Sequence, residues 1–140
     1  MHQSLFTYDI TEISKVSKII IDSIKQNNKV LFSGAIGSGK TTLIKSLIHD
    51  LGYNEHVLSP TFSVINEYIL DYKIIYHMDL YRIKKEDELY EIGFKEYLRS
   101  GNLCLIEWPE VAVNMINKDF IHIKLKEISK TKRSLEIKSV

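Results

Sequence analysis

Residues 34–42 read Gly-Ala-Ile-Gly-Ser-Gly-Lys-Thr-Thr, and no other stretch restricts the fold as tightly. A loop of this pattern is a cradle for a polyphosphate. Gly34, Gly37 and Gly39 let successive backbone N–H groups turn inward, Lys40 reaches the β- and γ-phosphates, and Thr41 offers its hydroxyl to a magnesium ion. Such a cradle works only between a buried strand and a helix whose N-terminus faces the anion. Both flanks are present. Lys29 to Ser33 (Lys-Val-Leu-Phe-Ser) is a short apolar run suited to a buried parallel strand. Beyond Lys40, Leu43, Leu47 and Leu51, with Ile44 and Ile48 beside them, recur at helical spacing until Gly52 supplies a stop. The nucleotide-binding candidates are therefore Gly34, Ala35, Ile36, Gly37, Ser38, Gly39, Lys40, Thr41 and Thr42.

This motif commits the chain to an α/β architecture. At 140 residues there is room for one such domain, residues 1–140, and none for a separate substrate domain. The charges nearly cancel, 19 basic against 18 acidic residues, so no electrostatic excess argues for autonomous binding of RNA or DNA. The cluster Lys130, Lys132 and Arg133 reads as a solvated hairpin turn rather than a nucleic-acid patch. No apolar stretch approaches the length of a membrane span, the N-terminus lacks the regions of a signal peptide, and the single Cys104 cannot form an internal disulfide. A cytoplasmic protein is expected.

Along the chain, Leu5 to Tyr8 reads as a short strand. Thr11 reads as the N-cap of a helix carrying the apolar stripe Ile13, Val16, Ile20 and Ile24. After the P-loop helix, Ser59-Pro60-Thr61-Phe62 signals a loop. Val64 to Leu70 and Lys73 to Met78 then read as a hairpin turning at Asp71 and Tyr72. Lys84 to Tyr90 and Lys95 to Arg99 are helix-favouring and divided by Gly93. Asn102 to Glu107 reads as a central strand, and Pro109 can open a further short helix. Phe120 to Leu125 and Ser134 to Ile137 suit a closing pair of strands. Crossover helices mixed with hairpins predict a mostly parallel central sheet with antiparallel additions, flanked by helices.

Hydrolysis of a bound nucleotide also needs an acid at the end of a neighbouring strand, to hold magnesium or its water. Two runs supply one: Leu103-Cys104-Leu105-Ile106-Glu107, and Ile74-Ile75-Tyr76-His77-Met78-Asp79. Ligands of open α/β sheets gather outside the carboxyl ends of strands, where both acids would lie. His77 and Asp79 share a face if the strand runs that far. No other histidine stands at recognisable ligand spacing, so His77 reads as a packing or hydrogen-bonding residue. Cys104 reads as a small buried residue. Trp108 is open to a core role or a place at the site.

Taken together, the P-loop at 34–42, Ser-Pro-Thr-Phe at 59–62, His-Met-Asp-Leu-Tyr-Arg at 77–82, Glu-Leu-Tyr-Glu-Ile-Gly-Phe at 88–94 and Ile-Glu-Trp-Pro-Glu at 106–110 closely resemble the TsaE (YjeE) family. These are small bacterial ATPases of tRNA threonylcarbamoyladenosine synthesis. The resemblance spans nearly the whole chain and implies a P-loop ATPase fold, ATP and Mg2+ as ligands, and TsaB and TsaD as partners. Those partners transfer a threonylcarbamoyl group to adenosine 37 of tRNA, and ATP hydrolysis is thought to reset them between turnovers. The resemblance further implies Thr41 and Glu107 as the magnesium pair, Asp79 as the essential acid and Thr61 as a switch-type threonine near the γ-phosphate. Tyr81, Arg82 and Trp108 match other signature residues, Arg133 falls where a C-terminal arginine approaches the nucleotide, and Asp9 to Thr11 is the candidate adenine segment.

The chain departs from the family pattern at Ala35-Ile36, Val111 and Ile116-Asn117. The first leaves phosphate binding intact, because backbone groups do that work. Only three arginines, Arg82, Arg99 and Arg133, are available to meet charge developing on a transferred phosphoryl group, which predicts weak activity without partners. The alternative from another class is a small-molecule P-loop kinase, for which arginines are sparse. A GTP-dependent switch would need an Asn-Lys-x-Asp motif, and Asn117-Lys118-Asp119 lacks the spacer.

Overall fold

The computed structural model describes residues 3–24, 27–57, 63–116 and 119–139. Seven strands form one sheet: β1 (Gln3–Asp9), β2 (Lys29–Ser33), β3 (Ile65–Ile69), β4 (Ile74–Asp79), β5 (Leu103–Glu107), β6 (Ile121–Glu127) and β7 (Lys132–Ser139). Their spatial order is β1-β7-β6-β2-β5-β4-β3. The centre, β6-β2-β5-β4, is parallel, and each flank is closed by antiparallel pairing, β4 with β3 on one side and β6 with β7 and then β1 on the other. The sheet is therefore mixed, with a parallel heart where the P-loop strand lies and hairpins at the flanks.

The helices follow the expected pattern. α1 (Ile13–Ser23) and α2 (Lys40–Asp50) lie on one face, and α3 (Glu86–Glu91), α4 (Phe94–Arg99) and α5 (Val113–Ile116) belong to the other. Alternation along the strands explains the two layers, because successive side chains point to opposite faces. In β2, Val30 and Phe32 join α1 and α2 while Leu31 joins the other layer; in β5, Leu103 and Leu105 divide from Cys104 and Ile106 in the same way. Leu43, Ile44, Leu47 and Ile48 of α2 are all fully buried. At about 2 kcal/mol for each such side chain, they anchor the helix that carries the site.

Two local expectations change. The cap ahead of α1 is Asp9 rather than Thr11. The Asp9 carboxylate accepts from the Thr11 backbone N–H (2.9 Å) and hydroxyl (2.8 Å), and Glu12 accepts from the Asp9 N–H (3.1 Å). A capping box thus closes a short 3₁₀ turn, Ile10–Glu12, before α1 begins. The hairpin between β6 and β7 does contain Lys130, but Arg133 is not solvated there; it turns back onto the P-loop. The loop Ser59 to Phe62, Thr61 included, lies outside the described residues.

Candidate functional site

The parallel strands deliver their C-terminal ends to one edge of the sheet. Because β5 lies between β2 and β4, the P-loop that follows β2 stands beside Glu107 at the end of β5, and the register places Asp79 opposite Glu107. A cleft of about 400 Å3 opens there, lined by Ile36, Gly37, Gly39, Lys40, Thr41, Thr42, Asp79, Tyr81, Glu107, Trp108 and Arg133. Gly34, Ala35 and Ser38 complete the loop without lining the cleft. The α2 N-terminus faces it, with Gly39 at the cap in a left-handed conformation (φ 101°) that a side chain would strain. Gly34 has a different constraint: a Cβ there would stand 2.6 Å from the Leu125 carbonyl and 2.6 Å from the Ser38 hydroxyl. The loop starts pressed against β6.

Two sequence candidates meet directly. The Thr41 hydroxyl donates to Glu107 Oε1 at 2.8 Å, and Glu107 is only 2% exposed. The second carboxylate oxygen, Oε2, lies 2.7 Å from His77 Nε2, and His77 is fully buried. Asp79 sits one strand away, its Oδ1 accepting from the Tyr81 N–H at 3.0 Å. Burial pushes its carboxyl above the usual carboxylate range, with the neighbouring Glu107 charge adding to that, against the Tyr81 hydrogen bond, His77 and Lys40. Hard oxygen donors from Thr41, Glu107 and Asp79 suit Mg2+, which takes one or two protein carboxylates and fills its octahedron with water and phosphate oxygens. The donor set fits that ion.

Lys40 donates to the Gly34 carbonyl and to the Ala35 carbonyl (3.2 Å), with its ammonium 4.0 Å from the centroid of the Trp108 ring. Burial pulls its pKa below the ordinary lysine value, opposed by the charges of Glu107, Asp79 and Glu110. Trp108 has φ 54°, a left-handed conformation that costs a non-glycine residue about 1–2 kcal/mol. That turn sets its ring against Tyr81, centroids 5.0 Å apart. Trp108 therefore serves both readings, packing partly on the core while walling the cleft.

Arg133 reaches the site by a route that composition conceals. Its Nε donates to the Ser38 carbonyl at 3.1 Å, and its Nη1 donates to the Ser129 and Lys132 carbonyls at 2.8 and 3.0 Å. The guanidinium braces the P-loop from β7. Asp9 ends β1 opposite Lys132, Ile10 and Thr11 lie in the 3₁₀ turn that follows, and none of the three lines the cleft. The hydrogen-bonding role expected of His77 is met by Glu107, and the two-residue offset of His77 from Asp79 is the sequence signal that both share one face of β4.

A family model, threonylcarbamoyl adenosine biosynthesis protein TsaE, matches residues 7–135, which encompasses all of this geometry. The chain belongs to the TsaE family. Proteins named tRNA threonylcarbamoyladenosine biosynthesis protein TsaE are similar to it across most of its length. The Rickettsia felis protein is 39% identical over 127 residues, covering 90% of this chain and 74% of that one. The Bacillus subtilis protein is 31% identical over 134 residues, covering 96% and 84%. The crystal structure of Bacillus subtilis YdiB superposes with a TM-score of 0.79 at 26% identity, covering 99% of this chain and 86% of that one. The TsaE-family fold is thus shared from the capped first helix to the closing hairpin. Among the described residues no helix is long and apolar enough to cross a membrane.

Proposed function

We propose that this TsaE-family chain binds ATP with Mg2+ in the cleft and hydrolyses it to ADP and phosphate, supporting turnover of a TsaB–TsaD complex in the modification of tRNA adenosine 37. The observation that carries this reading is the 2.8 Å bond between the Thr41 hydroxyl and Glu107. It joins the P-loop helix to the acid of a neighbouring strand beside Lys40. The place in tRNA threonylcarbamoyladenosine biosynthesis follows from the family. The buried free thiol of Cys104 accords with work in the reducing cytoplasm.

The chain's groups divide the labour by position. The backbone N–H groups of residues 34–42 and the α2 N-terminus hold the phosphates. Lys40 swings from the carbonyls of Gly34 and Ala35 to neutralise the β- and γ-phosphates. Thr41 and Glu107 would hold Mg2+, which would supply positive charge to offset that of the phosphates. Asp79, a partly buried carboxylate steadied by the Tyr81 N–H, orients the attacking water, a task the family resemblance shares with Thr61. Arg133, occupied with the Ser38 carbonyl, acts on the loop's geometry as a nucleotide-site residue. With no arginine placed as a finger by the sequence, TsaB and TsaD complete the site and basal turnover is slow.

ATPase and nucleotide-binding measurements with and without TsaB and TsaD test this. Lys40→Ala should lose ATP binding. Asp79→Ala should bind ATP but lose roughly 10²–10⁴-fold in turnover, the scale of a lost acid–base group. Normal turnover in Glu107→Ala removes it as the magnesium acid, and rapid hydrolysis indifferent to the partners refutes the coupling.

A further inference from the structure

One buried group at the site has no role in the reading above. His77 projects from β4 on the same face as Asp79, but one step deeper, beneath the floor of the cleft. It is fully buried, its Nε2 lies 2.7 Å from Glu107 Oε2, and its Nδ1 has no hydrogen-bond partner among the described residues. An imidazole placed among apolar side chains is costly unless its polar atoms are used. Among the described residues only Nε2 is used, and because an ionised carboxylate can only accept, Nε2–H is the donor to Glu107.

We propose that His77 is a positioning residue for the metal-holding carboxylate, fixing Glu107 so that its free lone pairs face the nucleotide's Mg2+. The inference rests on the reading of Glu107 as the magnesium acid. A carboxylate on the last residue of a strand has a χ2 and χ3 to set, and here each oxygen is held from a different element. Thr41 on α2 takes Oε1, and His77 on β4 takes Oε2. The Thr41 hydroxyl can keep donating to Oε1 while its lone pairs are offered to an ion, and the His77 bond then restrains the other oxygen independently, from β4. Removing a partner that orients a metal-holding ligand typically costs about 10–100-fold in metal affinity. Phosphate binding, carried by the loop backbone, does not pass through His77. The histidine should therefore act on Mg2+ alone.

The test separates metal affinity from folding and from phosphate binding. A fluorescent ATP analogue is titrated into the full-length protein in EDTA and then at graded Mg2+ concentrations, with thermal unfolding of each variant in parallel. His77→Leu keeps the volume and removes the N–H. His77→Gln keeps an amide N–H near the position of Nε2. Glu107→Gln is the reference for loss of the ligand itself. The expected result is a Mg2+ half-saturation raised roughly 10–100-fold in His77→Leu, an unchanged EDTA affinity, and restoration toward wild type in His77→Gln. If Glu107→Gln shifts the Mg2+ dependence and His77→Leu does not, the positioning role is overturned and the magnesium acid stands. If Glu107→Gln leaves the dependence untouched, both fall. Should His77→Leu fail to fold, His77→Gln decides alone: a loss of stability comparable to its loss of Mg2+ affinity, with EDTA binding equally weakened, marks His77 as a structural core residue and overturns the proposal.

Discussion

The tightest steric constraint on the P-loop lies at its first glycine, and Gly34→Ala measures it. The added Cβ would stand 2.6 Å from the Leu125 carbonyl oxygen and 2.6 Å from the Ser38 hydroxyl, where ordinary contact begins at 3.4 Å. The two neighbours differ in their ability to yield. The Ser38 hydroxyl is buried without a hydrogen-bond partner among the described residues, so it can rotate away at little cost. Leu125 belongs to the backbone of β6, held between β2 on one side and β7 on the other. Its carbonyl cannot retreat without shifting two ladders. Forcing a methyl group into such a space costs about 1–3 kcal/mol, and a backbone obstacle puts this case in the upper half of that range. Gly37→Ala is the matched control, because no described residue lies within 4 Å of its added Cβ and the left-handed backbone (φ 82°) is what resists, at about 1–2 kcal/mol. In a domain of this size each kcal/mol lowers Tm by roughly 2–8 °C. Urea and thermal unfolding should therefore place Gly34→Ala below Gly37→Ala, and both below the wild type. Gly34→Ala within about 0.5 kcal/mol of wild type, a typical surface effect, or no worse than Gly37→Ala, would refute the close approach of the loop to β6.

Two further outcomes follow from buried titrating groups. Cys104 is fully buried and its thiol is pushed up to about 12 by desolvation, so a disulfide reagent at pH 8 should label it only as fast as the chain unfolds; labelling at the rate of a free thiol contradicts this. His122 has its pKa lowered from 6.5, first by burial and then by Lys124, and its Nε2 lies 2.7 Å from the Ser33 hydroxyl, next to the P-loop. The unfolded chain then binds the proton more readily, so this contribution is present above pH 6.5 and is lost as pH falls through the lower folded value. His122→Gln should flatten the fall of stability between neutral and mildly acidic pH, and an unchanged pH profile of unfolding would show that His122 contributes nothing to it.

The elements most legible in the sequence are those specified by local pattern. The P-loop strand and its helix begin where periodicity places them, at Lys29 and Lys40, and Gly93 parts two helices as expected, with φ 72°. The miss at Thr11 has a local cause as well: Asp9 and Thr11 are both good caps, and Glu12 chooses between them by returning its carboxylate to the Asp9 N–H. Less legible was the share of parallel pairing, because β1 joins β7 across the whole length of the chain and no short-range signal encodes that contact.

Local pattern is enough to place a phosphate cradle between a buried strand and a helix, and to set Glu107 and Asp79 at the ends of two apolar runs. Those facts depend on residue type and short spacing, which the backbone's own geometry converts into structure. The company those residues keep comes from how the strands assemble. Only the insertion of β5 between β2 and β4 brings Glu107 to Thr41, only the register of β4 sets His77 under that carboxylate, and only the β6–β7 hairpin carries Arg133 to the Ser38 carbonyl. Each of these contacts joins residues far apart in the chain. Their partners are selected by strand order and by burial, and neither has a period that the sequence can display.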